Sequence, residues 1–412
     1  MRTERILSII LALVLLASVV PLAITPVAAA YEKKIPCDAD GNNELTKDEL
    51  VNAILPYMLG EGDLKLDDVG DAAYVYAYWD GKPKTITDSL DRTVTVYRPI
   101  ERLVVCFPHA LETLRSLKMP KERIVGLAKR WPEYDPSFFS ETEIGDIPCV
   151  GDRWTPNLEK IVALRPDAVI YTSLSIGPKY SSPIVDVLEP TNIVVTCFRF
   201  NSFEIYREEV EKLASILGKE EEAEEFLDWR ENILNSIKEK VDTIPEEDKP
   251  RVYAEFGSYK IYGEYAYIAM AGGKDIFADK PGSYMSVDPE AVADRDPEII
   301  VKLGGTAGGY DLDAGDTAEL EKARAEILNR DILQNVTAVK NKKVYVITTH
   351  LISCFGDSGC RGFIQVAYMA KWFHPELFED LDPKAIHQEY LTRFQGLDID
   401  LDKKGVFVYP EP

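Results

Sequence analysis

Residues 201–241 read NSFEIYREEVEKLASILGKEEEAEEFLDWRENILNSIKEKV, and they form the only long helical pattern between two blocks of alternating strands and helices. Apolar side chains recur at steps of three and four residues, which places them on one face of a helix. Asn201 is a favourable N-cap residue, and Gly218 predicts a break between two helical segments. A stiff connector between two α/β lobes leaves a cleft, where ligands commonly bind. The alternative is an ordinary surface helix within one larger domain.

The composition limits what the protein can do. Its 412 residues are enough for two or three domains. With 46% hydrophobic and 28% charged residues, the chain is typical of a globular protein and unlike a disordered or multi-span membrane protein. A formal net charge of -23 argues against nucleic acid as a partner, because phosphate binding requires a basic surface. The six cysteines show no CxxC zinc pattern, although Cys354 and Cys360 are close enough in sequence to form a disulfide.

The N-terminus predicts an export signal. Arg2 and Arg5 precede a long apolar run, and residues 28–30 are alanines of the kind that a signal peptidase accepts. We expect cleavage near Ala30. The alternative is that residues 1–30 remain as a membrane anchor, since the run is long enough to span a bilayer. Both alternatives place the body on the outer face of the cytoplasmic membrane, in the periplasm or at the cell surface.

Residues 37–50, CDADGNNELTKDEL, match most positions of an EF-hand calcium loop. Calcium needs several hard oxygen donors on a tight loop, which a bidentate carboxylate closes at the twelfth position. Asn43 replaces the usual glycine at position six, and Asn enters the left-handed region more readily than most residues. With the first aspartate as position one, the predicted calcium ligands are Asp38, Asp40, Asn42, Glu44 and Glu49.

The segment 31–83 as a whole resembles one EF-hand or one half of a dockerin module. Leu45 falls at the buried eighth position, and a helix over 47–59 follows the loop, although Pro56 lies within it. The alternative is an Asp/Asn-rich turn that caps this helix without binding calcium. No catalytic cofactor is predicted.

Strands and helices alternate from residue 84 onward, which predicts a mostly parallel sheet with ligand sites beyond the carboxyl ends of its strands. After a hairpin over 85–96, the predicted strands of the first block are Leu103–Phe107, Ile124–Leu127, Ala168–Thr172 and Ile193–Thr196. Pro108 and His109 open the first helix of this block.

The second block follows the same alternation. Its predicted strands are Val252–Phe256, Tyr262–Tyr267 and an edge strand Lys343–Ile347. Residues 304–317 lack the Lys-Ser/Thr of a phosphate-binding loop and are interpreted as a mobile loop at a strand end. The tail from His374 is interpreted as a helix and a short cap.

Several sequence motifs, in their order and spacing, resemble those of the iron-siderophore and cobalamin class of ABC-transporter substrate-binding proteins. The resemblance extends roughly from Lys84 to Trp372. In the first block the motifs are TITDSLDRTVTVYRPIERLVV (85–105), ERIVGL (122–127) and NLEKIVALRPDAVIYTS (157–173). In the second block they are AMAGGKDIFAD (269–279), SVDPEAVADRDPEIIVKLGG (286–305) and NRDILQNVTAVKNKKVYVIT (329–348).

The resemblance implies an α/β fold of two Rossmann-like lobes bridged by a long α-helix, with a ligand cleft between the lobes. We expect an N-terminal lobe over 84–200, a bridging helix over 201–241 and a C-terminal lobe over 242–412. The implied function is capture of an iron(III)-siderophore-type chelate or a cobalamin-like ligand and its delivery to an ABC permease. A monomer without enzymatic activity is expected.

In this class one carboxylate on each lobe docks on arginines of the permease. By motif match these are Glu159 in NLEKIV and Glu290 in DPEAV. Each begins a predicted helix, where a glutamate also interacts favourably with the helix dipole, and this is the alternative explanation. The pairing of one such residue per lobe favours docking.

Arginines and aromatic residues recur at predicted strand ends. Arginine offers planar donors to carboxylates or phosphates, and aromatic walls suit a large chelate or macrocycle. Each arginine alone is also compatible with a solvated loop position. The candidate ligand-binding residues are Phe107, His109, Arg130, Trp131, Arg153, Trp154, Arg199, Tyr259, Tyr284 and His350.

Two other functions remain open at this stage. One is an enzyme such as a metal chelatase on the same frame, although the chain has no GxSxG or HExxH motif. The other is a calcium-dependent surface protein whose loop binds a cohesin-like partner. The four histidines show no pair at metal-ligand spacing, which argues against a dedicated zinc or manganese binder. The sequence does not rank ferric siderophore, heme, corrinoid and oxyanions such as molybdate.

Overall fold

The computed structural model describes residues 34–61, 64–129, 138–139, 145–152, 155–172, 184–200, 203–263, 265–280, 282, 284–304, 308–352 and 360–412. The strands are β1 Lys84–Thr87, β2 Thr93–Val96, β3 Leu103–Val105, β4 Ile124–Lys129, β5 Cys149–Asp152, β6 Ala168–Thr172, β7 Val194–Phe198, β8 Arg251–Glu255, β9 Lys260–Tyr262, β10 Lys274–Asp275, β11 Tyr284–Ser286, β12 Ile299–Leu303, β13 Gly309–Asp313, β14 Val344–Ile347, β15 Lys404–Val406 and β16 Val408–Tyr409. The helices are α1 Lys47–Met58, α2 Leu66–Tyr78, α3 Pro108–Ser116, α4 Leu158–Leu164, α5 Tyr206–Leu217, α6 Glu220–Val241, α7 Ala266–Met270, α8 Pro289–Asp294, α9 Ala318–Leu328, α10 Thr337–Lys340, α11 Thr349–Ile352, α12 Phe363–Phe373 and α13 Pro383–Glu389.

A parallel sheet forms the core of the first lobe. Its strand order is β5-β4-β3-β6-β7, and every pairing in it is parallel. The three residues of the central strand β3 are fully buried, because helices cover both faces of such a sheet. The carboxyl ends of these strands therefore lie at one edge. This confirms the predicted α/β architecture of the first block.

The second lobe contains a sheet of order β10-β8-β12-β14-β16. Its first four strands are parallel, and β16 pairs antiparallel with β14 through Val346–Tyr409 and Ile347–Val408. The prediction that 343–347 is an edge strand was wrong, because this short C-terminal strand covers the edge.

Two other local predictions were also wrong. The predicted strand Tyr262–Tyr267 ends at Tyr262, and α7 begins at Ala266. Within the predicted loop 304–317, residues Gly309–Asp313 form β13, which pairs antiparallel with β15. In the second case a strand pairing distant in sequence overrides the local pattern.

Two helices form the connector between the lobes. The predicted break is present, since Gly218 adopts the left-handed conformation with φ 64°. The first helix begins at Tyr206 without a side-chain cap, so the predicted start at Asn201, which lies outside the described residues, was wrong. The second helix packs Phe226 against Tyr206, with ring centroids 6.4 Å apart, and Trp229 against Phe363 at 5.5 Å.

The C-terminal residues 374–412 bind both lobes. The predicted helix is present as α13, whereas β15 and β16 were not predicted. Besides completing the second sheet, this segment reaches α3 of the first lobe, where Tyr390 Oη donates to Glu112 Oε1 at 2.6 Å. The Nε2 group of Gln395 donates to the main-chain oxygen of Glu112 at 3.2 Å.

The structure describes one of the two cysteines that lie close enough in sequence to form a disulfide. Cys360 is a buried free thiol whose Sγ lies 3.4 Å from the main-chain oxygen of His109, and Cys354 lies outside the described residues. Residues 1–33, which contain the predicted export signal, also lie outside the described part of the chain. Among the helices that the structure describes, none combines the length and apolar composition that a bilayer-spanning helix needs.

Candidate functional site

The end of β3 places two candidate residues inside the first lobe. Phe107 and His109 are at most 1% exposed, and their rings stack with centroids 6.2 Å apart. The ring of Tyr171, from the neighbouring strand β6, meets Phe107 edge-on at 6.3 Å. Both residues therefore lie at the predicted edge of the sheet, but their side chains are packed inside the lobe.

The end of β7 presents the candidate Arg199 to solvent. Its side chain is exposed, while its main-chain N–H donates to Glu209 Oε2 at 2.8 Å and fixes the backbone on α5. The rings of Phe198 and Phe200 on either side are buried and stacked, with centroids 5.1 Å apart. This alternation turns the guanidinium outward at the carboxyl edge. The other first-lobe candidates, Arg130, Trp131, Arg153 and Trp154, lie outside the described residues.

An aromatic cluster follows β8 at the carboxyl edge of the second-lobe sheet. It consists of Phe256, Tyr262, Tyr265 and Tyr284, and it is held by the antiparallel pairing of β9 with β11. Centroids lie 4.7 Å apart for Phe256–Tyr262, 5.1 Å for Phe256–Tyr265 and 5.1 Å for Tyr262–Tyr284. Tyr284 is 51% exposed, which is unusual for a large ring, and the ammonium of Lys260 lies 5.4 Å from its centroid.

Sequence reasoning identified Tyr284 but missed Lys260, Tyr262 and Tyr265. The misassigned strand over 262–267 hid the two tyrosines, because Tyr262 and Tyr265 would point to opposite faces of such a strand. The signal that could have found them is the density of tyrosines around Gly263, which adopts a positive φ of 25° and turns the chain.

The remaining second-lobe candidates, Tyr259 and His350, pack against other residues of the same lobe. Tyr259 lies against Arg330, whose guanidinium carbon is 4.6 Å from the ring centroid, and burial raises the pKa of Tyr259. Arg330 in turn binds both carboxylate oxygens of Glu255, at 2.6 and 2.9 Å.

His350 is half-buried on α11, and its ring lies 3.0 Å from the position that a Cβ on Gly309 would occupy. A side chain at Gly309 would therefore displace this histidine.

The two predicted docking carboxylates occupy equivalent positions in the two lobes. Glu159 lies in the first turn of α4, which Asn157 caps, and Glu290 lies in the first turn of α8, which Asp288 caps. Both side chains are exposed, and neither has an ion-pair partner among the described residues. They are therefore available to an external cationic partner.

The predicted calcium loop brings three carboxylates together. Oxygens of Asp38, Asp40 and Glu49 lie within 4.8 Å of one another. Asp38 is only 4% exposed and accepts hydrogen bonds from the main-chain N–H groups of Gly41 and Asn43, at 2.9 and 2.8 Å. Main-chain hydrogen bonding, first from Thr46, lowers the pKa of Glu49 and favours its anionic form.

The other loop positions agree with the expected conformation. Asn43 is left-handed with φ 64°, and Leu45 is 2% exposed. The Oδ1 atom of Asn42 accepts from the Glu44 main-chain N–H at 2.7 Å. The Glu44 carboxylate lies 3.7 Å from Lys82, so position seven would offer calcium its main-chain carbonyl, as is usual in such loops.

Two known proteins resemble this chain over different shares of its length. The molybdate-binding protein MolA of Haemophilus influenzae is 20% identical over 337 residues, covering 76% of this chain and 90% of MolA. The high-affinity heme uptake system protein IsdE of Staphylococcus aureus is 26% identical over 214 residues, covering 48% of this chain and 66% of IsdE.

A solved structure supports the same relationship. The TroA-like periplasmic binding protein FepB from Veillonella parvula superimposes with a TM-score of 0.66 and 26% identity, covering 80% of this chain and 100% of FepB. The sequence profile of the family described as periplasmic binding protein matches residues 124–351, which is more than half of the chain. The chain therefore belongs to the periplasmic binding protein family, the substrate-binding proteins of ABC transporters.

Proposed function

We propose that this protein captures a ferric chelate of the siderophore type, or a cobalamin-like ligand, outside the cytoplasm and delivers it to an ABC importer. The observation that carries this ligand class is the aromatic cluster, with the half-exposed Tyr284 beside the exposed Lys260. A large chelate can stack on such rings, whereas a small oxyanion needs only a few converging donors.

Exposed cations at the carboxyl edges of both lobes favour an anionic ligand. Arg199 in the first lobe and Lys260 in the second are both exposed, in a chain whose formal net charge is -23. In such an acidic protein, cations at the binding edge would offset the general repulsion of an anionic chelate. Family membership alone does not select the ligand, since MolA is named for molybdate and IsdE for heme.

Substitution of Tyr284 tests the ligand class. With the cognate chelate, Tyr284→Ala is expected to raise Kd about tenfold, because it removes a stacking ring worth roughly 1 kcal/mol beyond its buried area. Tyr78→Ala is the matched control, since Tyr78 is a 73% exposed tyrosine on α2. Equal affinities of the two variants, measured by equilibrium titration, would remove the aromatic cluster from the binding site.

Delivery to the importer would depend on Glu159 and Glu290. Charge reversal of either residue to arginine is expected to lower ligand import at least severalfold while leaving Kd for the ligand unchanged, because rim charges set docking and not capture. Glu224→Arg, at an exposed position on α6, is the control. Import that survives reversal of both carboxylates would contradict this role.

A calcium ion at the N-terminal loop is a further part of the proposal. Asp38, Asp40 and Glu49 would bind it through carboxylate oxygens, which are the donors that calcium prefers. Millimolar calcium is expected to raise the melting temperature of the protein, and Glu49→Gln is expected to abolish that increase. Glu61→Gln, at an exposed position beyond α1, is the control. An identical calcium response of Glu49→Gln would show that this loop is not the site.

A further inference from the structure

An arginine occupies the apolar face of α6, where the two lobes meet. Arg230 follows Leu227 by three residues and precedes Leu234 by four, so it shares their face of the helix. Its side chain is only 3% exposed. Three rings surround the guanidinium carbon, with centroids 4.4 Å away for Phe203, 5.0 Å for Tyr206 and 5.8 Å for Phe363.

Arg230 lacks an anionic partner within the described part of the chain. Its Nε and Nη2 atoms are buried and have no hydrogen-bond acceptor there. Glu231, the adjacent carboxylate in sequence, is bound by Arg207. The similarly buried Arg361 differs, because its Nη1 donates to Tyr310 Oη at 3.0 Å and its Nε lies 3.5 Å from a Glu112 oxygen. Burying a charge without an acceptor is costly, and ring stacking offsets only part of that cost.

The two atoms without acceptors lie on the same edge of the guanidinium. The Nε and Nη2 N–H groups form a planar fork that matches the paired oxygens of a carboxylate or phosphate. Nε and Nη2 are the guanidinium nitrogens that are buried without an acceptor, so the unmet hydrogen-bonding capacity of the buried part of Arg230 lies on this edge. Burial lowers the pKa of Arg230, but an arginine stays protonated at neutral pH.

Phe203 is the least buried of the three rings around Arg230. Tyr206 and Phe363 are completely buried, whereas Phe203 is only half-buried. The Phe203 ring also meets Tyr267 of the second lobe edge-on, with centroids 5.3 Å apart. Of the three rings, Phe203 is therefore the one whose movement the packed core restrains least.

We propose that Arg230 anchors a buried oxyanion site at the junction of the lobes, which opens when the Phe203 ring moves aside. The group bound is a carboxylate, a phosphate or a related oxyanion. It can belong to the transported ligand or to a free anion. The first source rests on the function proposed above, whereas the second does not.

The experiment has two arms and uses the wild-type protein with Arg230→Met and Arg230→Lys. In the first arm, phosphate, sulfate and molybdate are compared with chloride at equal ionic strength, and melting temperature and Kd are measured. In the second arm, a carboxylate-rich ferric chelate is compared with a ferric trihydroxamate that has no carboxylate. If the bound group is a free anion, we expect Arg230→Met to weaken anion binding in the first arm about 10- to 100-fold. If it belongs to the transported ligand, we expect the same loss for the carboxylate-rich chelate in the second arm. This is the range for a charge-assisted bidentate contact.

The two substitutions separate binding from folding. Since Arg230→Met removes a buried charge without a partner, its melting temperature in chloride is expected to equal or exceed that of the wild type. Arg230→Lys keeps the charge but loses the fork, so it is expected to fold and still bind more weakly than the wild type. If Arg230→Met does not fold, Arg230→Lys alone tests whether Arg230 binds the anion.

Each outcome has one meaning. An Arg230-dependent response in the first arm assigns a free anion, and one confined to the carboxylate-rich chelate assigns a group of the ligand. If neither ferric chelate binds, the proposed function is in doubt, but the first arm still tests Arg230. Responses in both arms that are absent, or unchanged by the substitutions, would overturn the proposal.

Discussion

At the scale of single residues, removing one partner of the buried ion pair between Glu255 and Arg330 is expected to be strongly destabilising. Glu255 is completely buried, and Arg330 binds both of its oxygens while Lys302 lies 3.7 Å away. Arg330→Met leaves this carboxylate without its main partner, so we expect it to lower the free energy of unfolding by about 3–5 kcal/mol. Chemical denaturation measures this value.

An exposed arginine provides the comparison. Arg393 pairs with Glu225 and Glu389 on the surface, and Arg393→Met is expected to cost less than about 1 kcal/mol. Similar losses for Arg330→Met and Arg393→Met would show that the buried pair contributes no more than a surface pair.

A second prediction at this scale concerns pH. Burial raises the pKa of Asp71 to about 6, although Arg98 opposes the shift. The folded protein therefore binds this proton more tightly than the unfolded chain, whose aspartate has a pKa of about 3.9. The stability contributed by the protonated form is complete below about pH 4 and is lost as the pH rises to about 6.

The variant Asp71→Asn removes this titration. Above about pH 6 we expect it to be about 1–2 kcal/mol more stable than the wild type, because solvent screens part of the effect at this half-buried carboxyl, and below about pH 4 the two should converge. Urea denaturation across this pH range measures the difference, with the exposed Asp91→Asn as the control. A constant difference between wild type and Asp71→Asn at every pH would refute the assignment.

Individual residues also show how far sequence reasoning reaches. The left-handed Asn43 was predicted because one loop motif contains its whole environment. Arg230 was missed, although a charged residue on an apolar helical face is a recognisable signal. The proximity of Lys260 to Tyr284 could not be predicted, because it depends on the pairing of β9 with β11, which are separated by a helix and a short strand.

At the scale of elements, Gly218 separates the two helices of the connector. A Cβ at this position would lie 2.5 Å from Tyr74 Oη, and φ is 64°. Gly218→Ala is therefore expected to lower the free energy of unfolding by about 1–2 kcal/mol, because it combines left-handed strain with a contact that must shift.

A glycine elsewhere in the same region gives the opposite expectation. Gly70 lies within α2, and a Cβ there would meet nothing within 4 Å. Gly70→Ala should stabilise the protein by about 0.5–1 kcal/mol, since alanine favours a helix. Thermal denaturation of both variants is the measurement, and a stabilising effect of Gly218→Ala would contradict the assigned break.

The elements that sequence reasoning identified are those with their own periodicity. The strands β3, β6 and β8 and the helix α6 were found because buried apolar residues specify them locally. By contrast, β16 contains two residues, Val408 and Tyr409, and forms only by pairing with β14. Strands this short carry no usable alternation, so the covered sheet edge could not be predicted.

At the scale of the whole molecule, the C-terminal segment ties the lobes together. Tyr390 is completely buried and donates its hydroxyl proton to Glu112 of the first lobe. We expect Tyr390→Phe to lower the free energy of unfolding by about 1–3 kcal/mol, because it leaves a buried acceptor short of a donor. Tyr409→Phe, on the terminal strand, is the control, and chemical denaturation measures both variants. An equal loss of unfolding free energy in the two variants would argue against a role of Tyr390 in tying the lobes together.

The two-lobed architecture was predictable, whereas the ligand was not. Order and spacing of strands and helices specify the fold, because parallel sheets bury nearly continuous apolar runs. Ligand choice depends on the side chains of connections such as 256–262, which can vary without altering the strands that position them.

Native mass spectrometry of the purified protein with a panel of ferric siderophores and cobalamin tests the central claim most directly. The account predicts a one-to-one complex with a single ligand class, which Tyr284→Ala weakens and Tyr78→Ala does not. The absence of a complex with every ferric siderophore and with cobalamin would contradict it.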